Sequence, residues 1–413
     1  MLPIKTLPIV ENWECASCGR CCHGSLIWLE QDDLEKLRAQ AWENHPEMVG
    51  VKTVIRHGWL DRRSRLAQRM DGACVFLLAD GRCRIHAEFG ADAKPLVCRM
   101  FPLQLVPLEK HAVLTTRRAC PTAAADQGPE VKQYRAQARD LAEAAGLLAK
   151  PVRAPAVLRG HVSSWEKALV AMASLERLTL DARFPLVRRI VHALRFCSLL
   201  EECRLKRMDA GKLRELCEVL ETSSLEVGEI FTQRTAPQSA SAVLFRQIAA
   251  EYMRLHPTFV AQDSWRERWR LARGAIAMAR GKGSLPRLHR GLPDTTFEAL
   301  EQPLGHLEEV IQRPFLRFFE MQVASNQYAI VCRPGWSIVE SFRALALAYP
   351  IGLVLLRWIA TDRPATRTDS IDVVTMLDRG QGYAPLRSAQ HRARLTTLAK
   401  IGDLERIVAW YAR

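Results

Sequence analysis

The stretch Cys15-Ala-Ser-Cys18-Gly-Arg-Cys21-Cys22 packs four thiols into eight residues, a C-x2-C-x2-C-C block. Thiolates spaced two residues apart on a tight loop converge on one metal ion or one iron–sulfur cube, and Gly19 helps the backbone fold around it. The first three cysteines repeat the C-x2-C-x2-C opening of bacterial ferredoxin ligation. There the fourth ligand comes from far along the chain and is followed by proline. Here Cys120 is followed by Pro121.

Working outward, eight of the 12 cysteines lie in the first 120 of 413 residues: Cys15, Cys18, Cys21, Cys22, Cys74, Cys83, Cys98 and Cys120. Cys197, Cys203, Cys217 and Cys332 are scattered through helical or apolar context and read as buried thiols. Eight thiolates are twice the demand of one closed zinc site or one cubane. Consecutive side chains such as Cys21 and Cys22 are expected to diverge. Both points favour more than one metal centre. For Cys74, Cys83, Cys98 and Cys120, spacing alone leaves the burial of free thiols open as the alternative. His23 and His86 adjoin the cluster as substitute ligands. Structural zinc sites pair two regular C-x2-4-C knuckles, whereas one dense block and four isolated cysteines are less regular. That favours iron–sulfur, a 4Fe-4S cluster, over Zn.

Four separated motifs occur in order: Cys15-x2-Cys18-Gly-x-Cys21-Cys22, Cys74-x-Phe-Leu, Cys83-x-Ile and Lys94-Pro-x2-Cys98-Arg-x-Phe-Pro102. Over residues 13–121 this resembles the YkgJ-type cysteine-cluster family, described as zinc- or iron-chelating, with eight characteristic cysteines. Cys120 stands for the last of them. The Cys83-x-Ile-x3-Phe-Gly90 segment and the long helical remainder resemble a narrower branch, the flagellin lysine-N-methylases. That branch implies protein lysine methyl transfer, S-adenosylmethionine as cofactor, and flagellin or a similar acidic or surface protein as partner. Residues 126–413 hold no motif that aligns with it. Arg99 is suggested to bond cluster sulfurs or a bound anion, or to form a surface ion pair.

The chain is 48% apolar and 25% charged, which excludes a disordered, collagen-like or small disulfide-stapled protein. Its start has no run of seven apolar residues and no small-residue cleavage site, so no secretory signal is expected. The longest apolar run, Ala344 to Leu356, is 13 residues and contains Pro350. A bilayer span needs about 20, so this reads as a core helix or helix pair, with no membrane span. A cytoplasmic location is expected, where clustered thiols bind metal rather than form disulfides.

The net charge is +14, of which residues 1–125 carry +3 from 17 basic and 14 acidic side chains. Ser264 to Arg290 is densest, with Arg266, Arg268, Arg270, Arg273, Arg280, Lys282, Arg287 and Arg290 against Glu267. It is read as a solvated face, with an anionic partner as the alternative. Trp265 and Trp269, four apart, suit a packed helix stripe better than a base-stacking platform.

The fold class expected is α+β: a small loop-rich cysteine-cluster domain with a short hairpin (1–125), then a mainly α-helical region (126–413). A Gly-, Arg- and Pro-rich break at 281–293 offers a further division. Ser25 to Glu30 reads as a strand. Asp32 or Asp33 is expected to cap a helix with Leu34, Leu37 and Ala41 inward. Cys74 to His86 reads as a hairpin with a type I′ turn at Asp80-Gly81. Thr122 to Glu130 reads as a linker. Ser163-Ser-Trp-Glu166 reads as a capping box, with Trp165, Leu169, Met172 and Leu175 inward. Helical periods cover Arg183 to Leu200, Lys212 to Leu220 and Leu386 to Tyr411.

The radical S-adenosylmethionine spacing C-x3-C-x2-C is absent. Gly281-Lys-Gly-Ser284 lacks its P-loop partner glycine, and Gly380-Gln-Gly382 is no dinucleotide fingerprint. Three functions remain: a metal-binding protein, a lysine methyltransferase and, least favoured, a zinc-dependent nucleic-acid-binding module.

Overall fold

The computed structural model describes residues 2–56, 63–149, 152–233, 235–256, 265–285, 292–382 and 384–413, with 266–268, 270, 271, 384 and 385 described by backbone alone. The fold is α+β, with small sheets near the N-terminus and helices beyond. The strands described are β1 (Ile4–Thr6), β2 (Trp28–Leu29), β3 (Val54–Arg56), β4 (Ser64–Leu66), β5 (Leu103–Pro107) and β6 (Ala112–Thr116). One sheet runs β1-β6-β5, with Ile4 opposite Ala112 in a parallel pair and Leu105 opposite Leu114 in an antiparallel one. The other is antiparallel, β2-β4-β3.

The β6 sequence Ala-Val-Leu-Thr-Thr is buried throughout. Its two threonines are tolerated inside because buried Glu11 accepts from the Thr115 hydroxyl and from Thr116 N–H, and pairs with buried Arg118 at 3.2 Å. Buried polar groups persist where they are satisfied in this way.

Five helices accompany the sheets: α1 (Gln31–Ala39), α2 (Arg84–Phe89), α3 (Leu96–Met100), α4 (Pro121–Ala124) and α5 (Arg135–Ala144). The strand expected at Ser25 to Glu30 is present as β2. The cap of α1 is Glu30 rather than Asp32 or Asp33, and Asp33 closes the capping box from the third helical position. Of the stripe expected inward, Leu37 is buried and Leu34 half-buried. The segment expected as linker is tightly seated: Gly128, at φ +114, has room for no Cβ against Glu14. Beyond it, Val131, Ala138 and Ala142 pack onto Ile4, Leu103 and Leu114 of the first sheet.

The Cys74–His86 segment turns back as expected, but by a different turn. Leu78 N–H reaches Arg82 O, and only Gly81, not Asp80, has positive φ. Three residues therefore make the turn, the geometry of a type I turn closed by a left-handed glycine, not a two-residue type I′. The arms meet at a single bridge, Leu77 with Cys83, because α2 begins at Arg84.

The remaining helices are α6 (Trp165–Leu180), α7 (Leu186–Glu202), α8 (Ala210–Ser223), α9 (Gly228–Gln233), α10 (Ser239–Met253), α11 (Trp265–Arg280), α12 (Phe297–Leu300), α13 (Glu309–Ala324), α14 (Gln327–Ile330), α15 (Ile338–Ala346), α16 (Ala348–Ile359), α17 (Arg367–Gly382), α18 (Ala389–Ile401) and α19 (Leu404–Tyr411). Helix α6 is capped by Ser164 alone, whose hydroxyl oxygen accepts from Lys167 N–H, and Leu169 is exposed while Ala168 and Ala171 face inward. The 386–411 period is two helices broken at Gly402, which takes φ +76. The apolar run becomes the helix pair α15–α16. Together Ile338–Ile359 is long and apolar enough to cross a membrane, but it is wholly buried among the other helices. Its Pro350 sits in the first turn of α16, where a missing N–H is tolerated.

One expectation fails at α11. Trp265 and Trp269 share a face of that helix, but that face is outward, and they are 69% and 63% exposed. The helix instead turns Met278 inward, with Gly274 on the same side. Of the basic stretch, the side chains of Arg266, Arg268 and Arg270, together with Arg287 and Arg290, lie outside the described residues.

Candidate metal centre

Cys15 and Cys18 sit exposed on the loop that leads into a 3-10 turn, Arg20–Cys22. Gly19 enters this turn at φ +68, and Gly81 closes the Leu78–Arg82 turn at φ +85. A Cβ on Gly81 would lie 2.6 Å from Ser17 O, and one on Gly19 would lie 2.9 Å from Leu77 Cδ1. Hydrogen at both positions lets the cysteine loop and the Cys74–Cys83 segment touch through their backbones.

The Cys74 N–H donates to Cys22 O at 2.8 Å. Cys83 stands at the N-cap of α2. Cys98 rides on α3, whose Leu96 N–H is held by Asp33 Oδ1 at 2.9 Å. Cys120 stands at the N-cap of α4, with Pro121 in the first helical position and Thr122 Oγ1 3.2 Å from its sulfur.

The thiols fall into two groups. Cys21, Cys74, Cys83 and Cys98 are close enough for their charges to act on one another. Cys22 belongs with them, its sulfur 3.9 Å from that of Cys21. The tight turn thus brings together two neighbouring side chains that extended or helical backbone would splay apart. Cys15, Cys18 and Cys120 form the second group, and Cys21 also acts on Cys18, so it stands between the two.

Burial pushes the Cys74 thiol up to about 11 and the Cys98 thiol up to about 12, and the neighbouring thiolates add to the shift. Burial also raises Cys18, and the Cys22 hydrogen bond followed by burial raises Cys21. Lys94 opposes these shifts at Cys21 and Cys98, and Arg20 N–H faces the Cys18 sulfur as Phe76 N–H faces that of Cys74. The missing quantity is positive charge. A bound metal supplies it, and thiols that coordinate one lose their protons. The donor set therefore fits a thiophilic metal. Among the described residues no three Cys, His, Asp or Glu side chains are already arranged to hold an ion, so loading requires the thiols to turn towards a common point.

His23 lies beside Asp71. Arg99 makes the surface ion pair, with Asp92 at 2.7 Å. Cys197, Cys217 and Cys332 are buried in the helical region, as the sequence reading expects, and Cys203 is half-buried there.

The helix that grips the cysteine segments carries no signature in the sequence. From α17, Asp372 pairs with both terminal nitrogens of Arg20, and Arg379 donates to Arg20 O at 3.0 Å. Asp378 accepts from Arg117 Nε at 2.7 Å and from Ala119 N–H at 3.0 Å, next to Cys120. His256 sits beside Arg20 and Arg379, and burial with those two cations pushes it down to about 4. No spacing in the sequence marks these pairings, which join residues some 260 to 350 positions apart.

A loop-rich module that presents eight thiols from separate segments defines a cysteine-cluster, metal-binding class. Residues 14–121 match the family model "CxxCxxCC: Putative zinc- or iron-chelating domain". No curated protein and no solved structure matches the chain.

Proposed function

We propose that residues 1–125 form a domain holding two thiolate-ligated centres, iron–sulfur in preference to zinc, next to a helical region at 126–413. The carrying observation is the nearness of thiols from four separated segments in two groups. Cys22, Cys74, Cys83 and Cys98 serve an inner centre, and Cys15, Cys18 and Cys120 belong to an outer one. A cubane takes four cysteines, so Cys21, standing between the groups, is the one shared out to the outer three. Zinc is the second reading. Zinc–sulfur bonds of about 2.3 Å set the sulfurs of a tetrahedral site roughly 3.8 Å apart, close to the 3.9 Å between Cys21 and Cys22. A cytoplasmic location suits clustered thiols that serve as metal ligands.

Lysine methyl transfer to flagellin or a similar surface protein rests on the narrower sequence resemblance. Transfer of a labelled methyl group from S-adenosylmethionine to purified flagellin tests it. Absence of label from flagellin with the metal-loaded chain counts against it. Iron, zinc and acid-labile sulfide contents of anaerobically purified protein test the metal reading.

A further inference from the structure

A second polar cluster lies in the helical region, around Arg333 in the loop between α14 and α15. Arg333 is 0% exposed. Its Nη1 donates to the Gln381 side-chain oxygen, while Nε and Nη2 have no hydrogen-bond partner. Those two nitrogens form the side-on edge of the guanidinium, the fork whose spacing matches two oxygens of a carboxylate or phosphate. Two more buried groups nearby are unpartnered: Gln381 Nε2 and His391 Nδ1. Trp336 ties the group together, with the Arg333 guanidinium 5.6 Å from its ring centre and the His391 ring stacked on it at 6.1 Å. Buried Tyr252 lies beside Arg333 as well, its hydroxyl within reach of the guanidinium.

The charge around this cluster is one-sided. Arg394 acts on His391, and Arg387 acts on neighbouring Cys332. The nearby carboxylates are engaged elsewhere: Asp378 holds Arg117, and Glu340 holds Arg392, whose guanidinium also lies over Trp336. Burial with Arg333 and Arg394 keeps His391 neutral at pH 7. A buried guanidinium without a counter-charge is costly to the fold. The indole face of Trp336 offsets only part of that cost.

We propose that this cluster is an internal binding site for a small oxyanion, a carboxylate or phosphate group, gripped side-on by Arg333 Nε and Nη2 with Gln381 Nε2 and His391 Nδ1 completing its shell. The site does not depend on the metal reading, because none of its residues belongs to the cysteine segments.

The test is thermal unfolding of the full, metal-loaded chain titrated with inorganic phosphate, and separately with acetate, against chloride at constant ionic strength. The wild type is expected to gain about 3 °C at saturation with one of these anions. Arg333→Met should show no gain, while being no less stable than wild type in chloride. A response to acetate alone points to a carboxylate ligand, and one to phosphate alone to a phosphate. No response to either, or an equal response in Arg333→Met, overturns the proposal. Should Arg333→Met fail to fold, Arg333→Lys keeps the charge without the side-on edge and should bind at least tenfold more weakly. Calorimetric titration of the wild type with phosphate and acetate then decides: saturable one-to-one heat for either supports the site, and none for both overturns it.

Discussion

Asp378 of α17 holds Arg117 Nε at 2.7 Å and, through the same carboxylate oxygen, the Ala119 N–H at 3.0 Å. A fully buried side chain of the helical region thus fixes the backbone immediately before Cys120. Removing one partner of such a pair strands a charge. Asp378→Asn should lower unfolding free energy by about 3 kcal/mol, read from urea unfolding. Asp92→Asn, which breaks only the exposed pair with Arg99, should cost no more than about 0.5 kcal/mol. Equal effects of the two would remove α17 from its bracing role.

The two-group arrangement predicts distinct patterns of metal loss. Cys74→Ser and Cys98→Ser should empty the inner centre and leave the outer one, and Cys15→Ser and Cys120→Ser should do the reverse. Cys18→Ser should lose the outer metal and Cys21→Ser should disturb both, each destabilising the cysteine segments. Cys217→Ser, buried far along the chain on α8, should change neither. Metal per chain by elemental analysis checks each. Full metal content in Cys18→Ser would show the ligand assignment to be wrong.

Gly81 touches the cysteine loop through its backbone, with φ +85 and Ser17 O 2.6 Å from where a Cβ would stand. Gly81→Ala should therefore separate the loop from the Cys74–Cys83 segment and lower metal retention. Gly50→Ala is the control: its φ is +74 and nothing lies within 4 Å, so only strain of roughly 1 kcal/mol is expected. Dialysis against a chelator should strip metal faster from Gly81→Ala than from either other protein. Equal rates would contradict the close-approach argument.

His192 on α7 gives the helical region an acid limit. It is buried edge-on against Phe184, neither ring nitrogen has a partner, and burial with nearby Arg188 pushes it down to about 4. The unfolded chain takes up this proton near 6.5, but the folded chain does so only near 4. The stability that neutral His192 contributes is therefore fully present above about 6.5 and is lost as the pH falls towards 4. His192→Met should make unfolding free energy drop less between pH 7 and pH 5 than in wild type, measured in urea. An unchanged drop would exclude His192 as a source.

The cysteine block is legible because ligand chemistry fixes residue type and short spacing, and the family match falls on the same residues. The apolar run at Ala344 to Leu356 is legible as a buried helix pair because Pro350 breaks it, but the full apolar stretch, Ile338–Ile359, is longer than the run alone shows. Turn type at Asp80-Gly81 is misread because positive φ at Gly81 alone satisfies a three-residue turn. The outward face of α11 is missed because Trp265 and Trp269 report a shared face but not its direction. The parallel pairing of β1 with β6, and the grip of Asp372 and Asp378 on Arg20 and Arg117, join segments over 100 residues apart. Local pattern carries no information about such partners.

We propose that the thiols of residues 15–120 hold iron–sulfur centres. Anaerobic purification followed by an absorption spectrum and iron, zinc and sulfide analysis tests it most directly. A broad band at about 400 nm, with iron and acid-labile sulfide in comparable amounts, is the expected result. A colourless protein carrying one or two zinc ions and no sulfide would contradict it and make the cysteine domain a structural or recognition module.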